Sequence, residues 1–210
     1  MPTSSTPPPE ILKLRDDQIA SAAAVLARAF HNDPPLVWVL PDADHRARVM
    51  PQFFATFVTY AIQSGAAFTT AGTSNAVAIW LDIDDPKIDD TDGEHRAGID
   101  RIPSIIGADA WARMLNIIKF VGRLHEKFAP AKHAYLQWLG VEPELQGRGL
   151  GSAVMAPGLR HADAAKLPSY LETFQPRNVP LYQRHGFRIM AEEVEPASGC
   201  RCWAFLRPPQ

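Results

Sequence analysis

The chain has 210 residues, with 21 lysine or arginine side chains against 23 aspartate or glutamate, so its formal net charge is −2 at pH 7. This length is typical of one compact domain. The near-balance of charge, with no basic stripe, argues against nucleic acid as a principal partner. No uninterrupted apolar run approaches the roughly 18 residues of a membrane-spanning helix, so we expect no membrane partner.

The two cysteines and the N-terminal segment indicate the setting of the protein. Cys200 and Cys202 lie too close together for an ordinary structural disulfide, and no secretory signal peptide is evident. We therefore expect a reducing, cytoplasmic environment. Residues 1–9 hold four prolines with serine and threonine, which predicts a disordered leader before a single domain at 10–210.

The N-terminal half predicts short strands and amphipathic helices. An apolar run at 11–14 favours a strand, and apolar residues spaced by four, three and four between 19 and 30 predict a helix that the pair Pro34-Pro35 ends. The further predictions are a helix over 49–65, a hairpin from runs 66–70 and 77–81, an exposed acidic loop over 82–94 and a helix over 111–121.

The last third of the chain predicts strands alternating with helices. The predicted elements are a strand at 135–141, a helix from the glycine-rich turn to about 166, a strand at 169–174, a short helix at 179–185 and strands at 187–194 and 202–207. This order implies an α/β protein in which parallel neighbours lie within a mixed sheet.

The turn at 146–151, Gln-Gly-Arg-Gly-Leu-Gly, indicates a phosphate site. A strand ends, glycines allow a tight turn and a helix begins at once, so free N–H groups and the positive end of a helix dipole converge. No Gly-Lys-Ser/Thr follows, and the spacing of the dinucleotide fingerprint is missing. The pattern therefore predicts a ligand that carries a pyrophosphate.

Further motifs follow this loop in a fixed order. They are Gln146-x-x-Gly149-x-Gly151, Leu171-Glu172-Thr173, Pro176-Arg177-Asn178, Leu181-Tyr182 and Gly186-Phe187. Over roughly residues 135–194 the chain resembles the acetyl-CoA-dependent N-acetyltransferases of the GNAT superfamily. Within that superfamily it is most similar to the puromycin N-acetyltransferase type, although the likeness fades before His133.

The resemblance implies an α/β GNAT fold, a mixed central sheet with flanking helices and a splayed pair of parallel strands. It also implies acetyl-CoA as cosubstrate, with the backbone at Leu139, Gly140 and Val141 pairing with the pantetheine arm. The loop expected to hold the pyrophosphate consists of Gln146, Gly147, Arg148, Gly149, Leu150, Gly151 and Ser152.

Transfer of an acetyl group from a thioester to an amine needs a neutral amine and a proton for the departing thiolate. Tyr182 stands where the family places its general acid. Glu172, on the second motif strand, is the candidate general base, directly or through a water. A water chain, His31 or Asp33 remain alternatives, because the preceding strand offers no carboxylate at its alternate positions.

Four further residues carry two interpretations each. Asn178 is a candidate contact for coenzyme A, although it is also suited to capping the helix that follows it. Trp38, placed in a loop after the first helix, is either a core residue or a wall of the acceptor pocket. Cys202 and Cys200, with both thiols on one strand face, predict a buried apolar pair rather than a metal or redox site.

We therefore predict an enzyme, an N-acetyltransferase that uses acetyl-CoA to acetylate a primary amine of a small molecule such as an antibiotic or a metabolite. No acyl-enzyme is expected, because no cysteine or serine nucleophile accompanies the loop. The alternatives are a protein or peptide N-acetyltransferase and a non-catalytic acyl-CoA sensor. We expect no metal, and a monomer or a homodimer.

Overall fold

The structure, a computed structural model, describes residues 9–64, 66–83 and 91–210. Its centre is a seven-stranded sheet. The strands are β1 (Ile11–Lys13), β2 (Ala66–Thr70), β3 (Ala76–Ile83), β4 (His133–Val141), β5 (Ser169–Thr173), β6 (Arg188–Val194) and β7 (Arg201–Arg207). They lie in the order β1-β2-β3-β4-β5-β7-β6, and all neighbours are antiparallel except β4 and β5. The predicted mixed sheet with one parallel pair is confirmed.

Helices cover both faces of this sheet. Within the described residues they are α1 (Ile19–Ala29), α2 (Pro34–Val39), α3 (Ala43–Ser64), α4 (Thr91–Ala97), α5 (Ile102–Ile106), α6 (Ala108–Phe128), α7 (Leu150–Ala164) and α8 (Val179–Arg184). Side chains of α1, α2, α3, α5 and α6 form one hydrophobic core. Those of α7 and α8 contribute to a second core on the opposite face. Both faces of the sheet are therefore buried along its middle.

The alternation of β3 explains how one strand serves both cores. Val77 and Ile79 pack into the first core, whereas Ala78 and Trp80 pack into the second. Side chains of a strand point alternately to the two faces, so an unbroken apolar run is required wherever both faces are covered. The helix α7 approaches most closely at Gly158, where an added Cβ would lie 2.2 Å from Nε1 of Trp80.

The structure corrects three predictions in the N-terminal half. Pro34 and Pro35 follow the end of α1, as predicted, but they also occupy the first turn of α2, because proline fits the start of a helix. Trp38 therefore lies on a helix rather than in a loop. In the predicted acidic loop, β3 continues to Ile83 and α4 begins at Thr91, while residues 84–90 lie outside the described part of the chain.

The expectation for the cysteines is wrong in part. Cys202 lies on β7 and is fully buried with Tyr170 and with Phe120 and Leu124 of α6. Cys200 precedes β7 and is half-buried, so the two thiols do not share a strand face. Both cysteines are free thiols.

The predicted hairpin of β2 and β3 is confirmed. The predicted leader lies outside the described residues except for Pro9.

We expect Gly158→Ala to destabilise the fold, because the new methyl group would collide with the buried indole of Trp80. Overpacking of this kind costs about 1–3 kcal/mol. Gly122→Ala in α6 is the matched control, because an added Cβ there meets nothing within 4 Å, and alanine in a helix gains about 0.5–1 kcal/mol over glycine. Urea unfolding of both variants should give changes of opposite sign. Equal stabilities would contradict the close packing of α7 on β3.

Candidate active site

The parallel strands β4 and β5 separate soon after they meet. Their register contains two pairs, Ala134 with Ser169 and Tyr135 with Tyr170, although β4 runs on to Val141. On its other side β4 stays paired with β3, but Gln137 is an extra residue between the partners of Ile79 and Trp80. A bulge of this kind bends a strand and increases its twist. The far half of β4 therefore faces β5 across an opening in which backbone groups lack a strand partner.

A cavity of about 450 Å³ lies in this opening. Ten of the eleven residues predicted to bind the cofactor line it: Leu139, Gly140, Val141, Gln146, Gly147, Gly149, Leu150, Gly151, Ser152 and Asn178. Arg148 does not line the cavity, and its side chain is exposed. The arrangement brings the end of β4 and the glycine-rich turn to one place, as the resemblance implied.

Backbone geometry makes the turn a site for anionic groups. Gly147 and Gly149 have φ values of +76° and +83°, a conformation that L side chains rarely adopt. Gly149 is the residue immediately before α7, and the N–H of Ala153 is bonded to its carbonyl. The N–H groups of the first turn are therefore free for a ligand, at the positive end of a 15-residue helix. The side chain of Gln146 donates to the carbonyl of Val141 over 3.1 Å and ties the turn to β4.

Ser152 is held by a residue that the sequence analysis did not identify. Its Oγ lies 2.8 Å from Nε2 of His185, at the end of α8. Burial lowers the pKa of His185, and the positive charges of Arg184 and Arg207 lower it further. A neutral imidazole there carries no charge of its own to offer a phosphate. The contact instead ties the first turn of α7 to α8.

A second cavity, of about 420 Å³, adjoins the first and is predominantly apolar. Phe30, Asp33, Leu139 and Asn178 line both cavities, so the two meet beside these residues. The walls of the second cavity, here called the acceptor chamber, come mostly from α2, α3, α6 and β4. They include Trp111 and Trp138. Trp38 lines neither cavity and packs against the first core, so its proposed place in the acceptor pocket is wrong.

Glu172 lines the acceptor chamber from β5, and its side chain is 4% exposed. Burial raises the pKa of its carboxyl group to about 7, against the opposing effect of a hydrogen bond of 3.0 Å donated by the hydroxyl of Tyr135. A carboxyl group with this pKa is present in both protonation states near neutral pH. It can therefore accept a proton from a bound amine and release it again.

Tyr182 lies on α8 and lines the same chamber. It is buried against Phe187 and Phe205, with ring centroids 6.0 and 5.6 Å away. Burial, and secondarily the negative charge of Asp33, raise the pKa of its hydroxyl group. The hydroxyl therefore keeps its proton at neutral pH and can donate it to an atom in the chamber. Packing of the ring in the core and a catalytic role of the hydroxyl are compatible at this position.

Asp33 lies at the boundary of the two cavities, a position that the sequence analysis did not predict. It precedes α2, is 7% exposed and borders both cavities. Burial raises the pKa of its carboxyl group to about 7, although Gln175 Nε2 donates to it at 3.4 Å and Arg177 is nearby. His31, the other alternative base, lines neither cavity. Two carboxyl groups, Asp33 and Glu172, are therefore available to a substrate in the chamber.

Asn178 borders both cavities, and its second interpretation is not supported. It occupies the position before α8, but its side chain makes no capping hydrogen bond. The side chain is therefore available to a ligand. No group of three or more metal-binding side chains occurs among residues 9–64, 66–83 and 91–210, and no helix in those ranges is long and apolar enough to cross a membrane.

Comparisons with known proteins agree with this geometry. The profile of the Acetyltransferase (GNAT) family matches residues 110–187. An uncharacterized N-acetyltransferase of Schizosaccharomyces pombe is 26% identical over 174 residues, which are 79% of this chain and 69% of that protein.

Two solved structures show the shared fold. One, histone acetyltransferase HPA2 and related acetyltransferase from Corynebacterium glutamicum, has a TM-score of 0.69 and 22% identity and covers 96% of this chain and 97% of its own. Arylalkylamine N-acetyltransferase 2 of Aedes aegypti has a TM-score of 0.62 and 11% identity and covers 96% and 99%.

The sheet with its opened parallel pair is the GNAT fold. The profile match over residues 110–187 and the N-acetyltransferase relative add the class of activity: the chain is an enzyme, an acetyltransferase similar to those of the GNAT family. That family uses acetyl-CoA.

We expect Asp33→Asn to stabilise the protein in alkaline solution. Because the folded-state pKa of Asp33 is raised from 3.8 to about 7, its contribution to stability is complete below pH 3.8 and is lost as pH rises through 7. The free energy of unfolding of the variant, relative to wild type, should increase between pH 5 and pH 8 by on the order of 2 kcal/mol. The exposed Glu10→Gln is the control. A difference that is the same at both pH values would show that Asp33 ionises freely in the folded protein.

Proposed function

We propose that the chain transfers the acetyl group of acetyl-CoA directly to the primary amine of a small molecule with an apolar body, such as an antibiotic or a metabolite. One observation carries the proposal. A cavity with free main-chain N–H groups meets an apolar chamber whose lining includes the ionisable side chains of Glu172, Asp33 and Tyr182. A phosphate-bearing ligand would bind in the cavity at the glycine-rich turn, and a proton can be exchanged with an amine in the acceptor chamber.

The cofactor end of the proposed site fits a pyrophosphate and an extended arm. The first turn of α7 offers N–H groups and a helix dipole, and the unpaired edge of β4 at Leu139–Val141 offers hydrogen bonds in the manner of an added strand. Acetyl-CoA, when bound, supplies a thioester whose carbonyl carbon is open to attack by an amine. These contacts are mainly to the backbone, which is consistent with an exposed Arg148.

The acceptor end fits the body of a small molecule. About 420 Å³ is within the range of pockets that enclose such ligands, and aromatic and aliphatic side chains form most of the wall. Burial of apolar surface would provide the binding energy, about 25 cal/mol per Å². A protein or peptide acceptor would present one N-terminal residue or lysine to the same chamber and is the second candidate.

Each ionisable group has a proposed role. Glu172 accepts the proton that the amine nitrogen loses as its bond to the acetyl carbon forms, and Tyr182 gives a proton to the sulfur as its bond to that carbon breaks. Asp33, at the junction of the cavities, attracts the incoming ammonium group and accepts its first proton, which leaves the neutral amine that attacks the thioester. Of the two protons that the amine loses, one restores the hydroxyl of Tyr182 and the other is released to water. An amine enters as its cation in neutral water, so a buried carboxylate lowers the cost of bringing it in.

The first test is binding of acetyl-CoA measured by calorimetry, followed by thiol release over a panel of amines in the same buffer. The panel includes apolar arylalkyl and alkyl amines, puromycin because the loop resembles that enzyme type, and a peptide. Micromolar binding with release that favours apolar small amines supports the proposal. Release with the peptide alone would favour the second candidate, binding without release would favour a sensor, and no binding would contradict all three.

We expect Gly149→Val to weaken acetyl-CoA binding at least tenfold, about 1.4 kcal/mol, because valine strains a residue with φ of +83° and places a side chain where the phosphates would lie. Gly72→Val is a matched control. It has a similar φ, +74°, in the turn between β2 and β3, away from both cavities. It should lose comparable stability and keep its affinity. Equal affinity in both variants would remove the turn from the binding site.

We expect Tyr182→Phe to lower kcat by about 10²-fold with little change in acetyl-CoA affinity, since it removes the proton donor and keeps the ring.

Glu172→Gln should lower kcat/KM and abolish the rise in activity through about pH 7, because a base must lose its proton before it can act. Trp38→Phe, outside both cavities, serves as control. Unchanged rates in the first two variants would assign the chemistry to Asp33 or to water.

A further inference from the structure

Behind Glu172, away from the acceptor chamber, lies a buried chain of hydrogen-bonding groups that the proposed reaction does not yet use. His125 of α6 and His133 of β4 approach each other with 2.8 Å between their Nε2 atoms. Nδ1 of His133 lies 2.7 Å from the carbonyl oxygen of Pro130. Nδ1 of His125 lies 3.7 Å from Oε1 of Glu172. Neither histidine lines a cavity, and His133 is fully buried.

The contact with Pro130 determines where the protons of both imidazoles lie. A carbonyl oxygen only accepts hydrogen bonds, so Nδ1 of His133 must carry a hydrogen. Burial lowers the pKa of both histidines, that of His125 to about 4, so both rings are neutral near neutral pH. A neutral ring has one N–H group. Nε2 of His133 is therefore the acceptor, Nε2 of His125 is the donor, and Nδ1 of His125 is left with a lone pair.

That lone pair faces the carboxyl group of Glu172. Oε2 of Glu172 accepts the hydrogen bond from Tyr135, whereas Oε1 is buried and has no hydrogen-bond partner within 3.5 Å among the described residues. The hydroxyl of Tyr170 also interacts with this carboxyl group and lowers its pKa, against the larger effect of burial. An ionised Oε1 and the Nδ1 lone pair repel each other. A proton on Oε1 removes the repulsion, because the carboxylic acid can then donate to Nδ1. The gap of 3.7 Å is long for a hydrogen bond and is expected to close when the acid form is present.

We propose that His125 is a positioning residue for Glu172: its Nδ1, held as an acceptor by His133 and the carbonyl of Pro130, receives the hydrogen bond of the protonated carboxyl group. The inference rests on the proposed role of Glu172 as the base. In this arrangement the proton that Glu172 has taken from the amine lies on Oε1 and is donated to Nδ1 of His125. A hydrogen bond to the neutral form of an acid strengthens its conjugate base, so the arrangement makes Glu172 a better base.

Other titratable groups surround the pair and do not alter this assignment. They are Tyr135 on β4, Tyr170 on β5 and Cys202 on β7. Burial raises the pKa of each of these groups, so all three are protonated and uncharged at neutral pH. The charge that varies near His125 is therefore that of Glu172. His125 also packs against the rings of Tyr135 and Tyr170, at 4.7 and 4.8 Å, which holds its ring in place.

The tautomers can be measured directly on the wild-type protein. Imidazole ¹⁵N chemical shifts at pH 8, assigned with His125→Gln and His133→Asn, should show His133 with its hydrogen on Nδ1 and His125 with its hydrogen on Nε2. The opposite tautomer at either residue would overturn the proposal, whatever the role of Glu172. This measurement does not depend on activity, so it separates failure of this inference from failure of the proposed function.

The kinetic test uses His133→Asn, because His133 forms a hydrogen bond with His125 and none with Glu172 among the described residues. The asparagine amide can still donate toward Pro130, but the side chain is shorter and places no acceptor atom at the position that Nε2 of His133 occupies beside His125. His125 is then free to carry its hydrogen on Nδ1 and donate to the Glu172 carboxylate, which stabilises the charged form. The acidic limb of the pH profile of kcat/KM should shift to a pH about one unit lower, because the pKa of Glu172 falls. The KM for acetyl-CoA should stay unchanged.

Glu126→Gln is the control, because Glu126 is exposed on the same helix next to His125. It should leave the pH profile unchanged. If His133→Asn keeps the wild-type limb while Glu172→Gln abolishes it, Glu172 is the base and His125 only packs against it. If Glu172→Gln has no effect, the base role fails, and the ¹⁵N shifts still decide the tautomers.

Discussion

The separation of β4 from β5 after two paired residues is the constraint on which the remainder of the site depends. An extra residue at Gln137 bends β4 while its other edge stays bonded to β3. The sheet therefore remains continuous although its centre is open. Backbone groups along Leu139–Val141 are left without a strand partner, and such groups need hydrogen bonds when they are buried. In the proposed site, the extended polar arm of the ligand would satisfy them, so recognition would follow from the irregularity of the sheet.

Burial produces the second property of the site. The same apolar walls that would bind an acceptor also remove Asp33, Glu172 and Tyr182 from water, and desolvation is the main cause of the raised pKa of each. Two carboxyl groups that would ionise near pH 4 in water instead titrate near pH 7. The protein loses folding free energy when they ionise. Stability is thus reduced at the place where proton exchange with an amine is useful.

The two ends of the site use different parts of the polypeptide. At the cofactor end, glycine conformations and the first turn of α7 present main-chain groups, so side-chain identity matters chiefly where a Cβ would intrude. At the acceptor end, side chains from distant segments decide the chemistry. The proposed role of the histidine pair adds to the acceptor end. The backbone carbonyl of Pro130 determines the tautomer of His133. The tautomer of His133 in turn leaves Nδ1 of His125 as the acceptor that faces Glu172.

The sequence by itself determined the strand–turn–helix order, the hairpin and the glycine-rich turn, because periodicity and glycine conformation are local properties that a short spacing records. It also singled out Glu172 and Tyr182, through motifs close together in the chain. Only the tertiary structure decided that Asp33 borders both cavities, that Trp138 rather than Trp38 faces the acceptor chamber and that His125 stands behind Glu172. Those contacts join segments far apart in the chain, and the packing of helices on the sheet, which no local pattern encodes, brings them together.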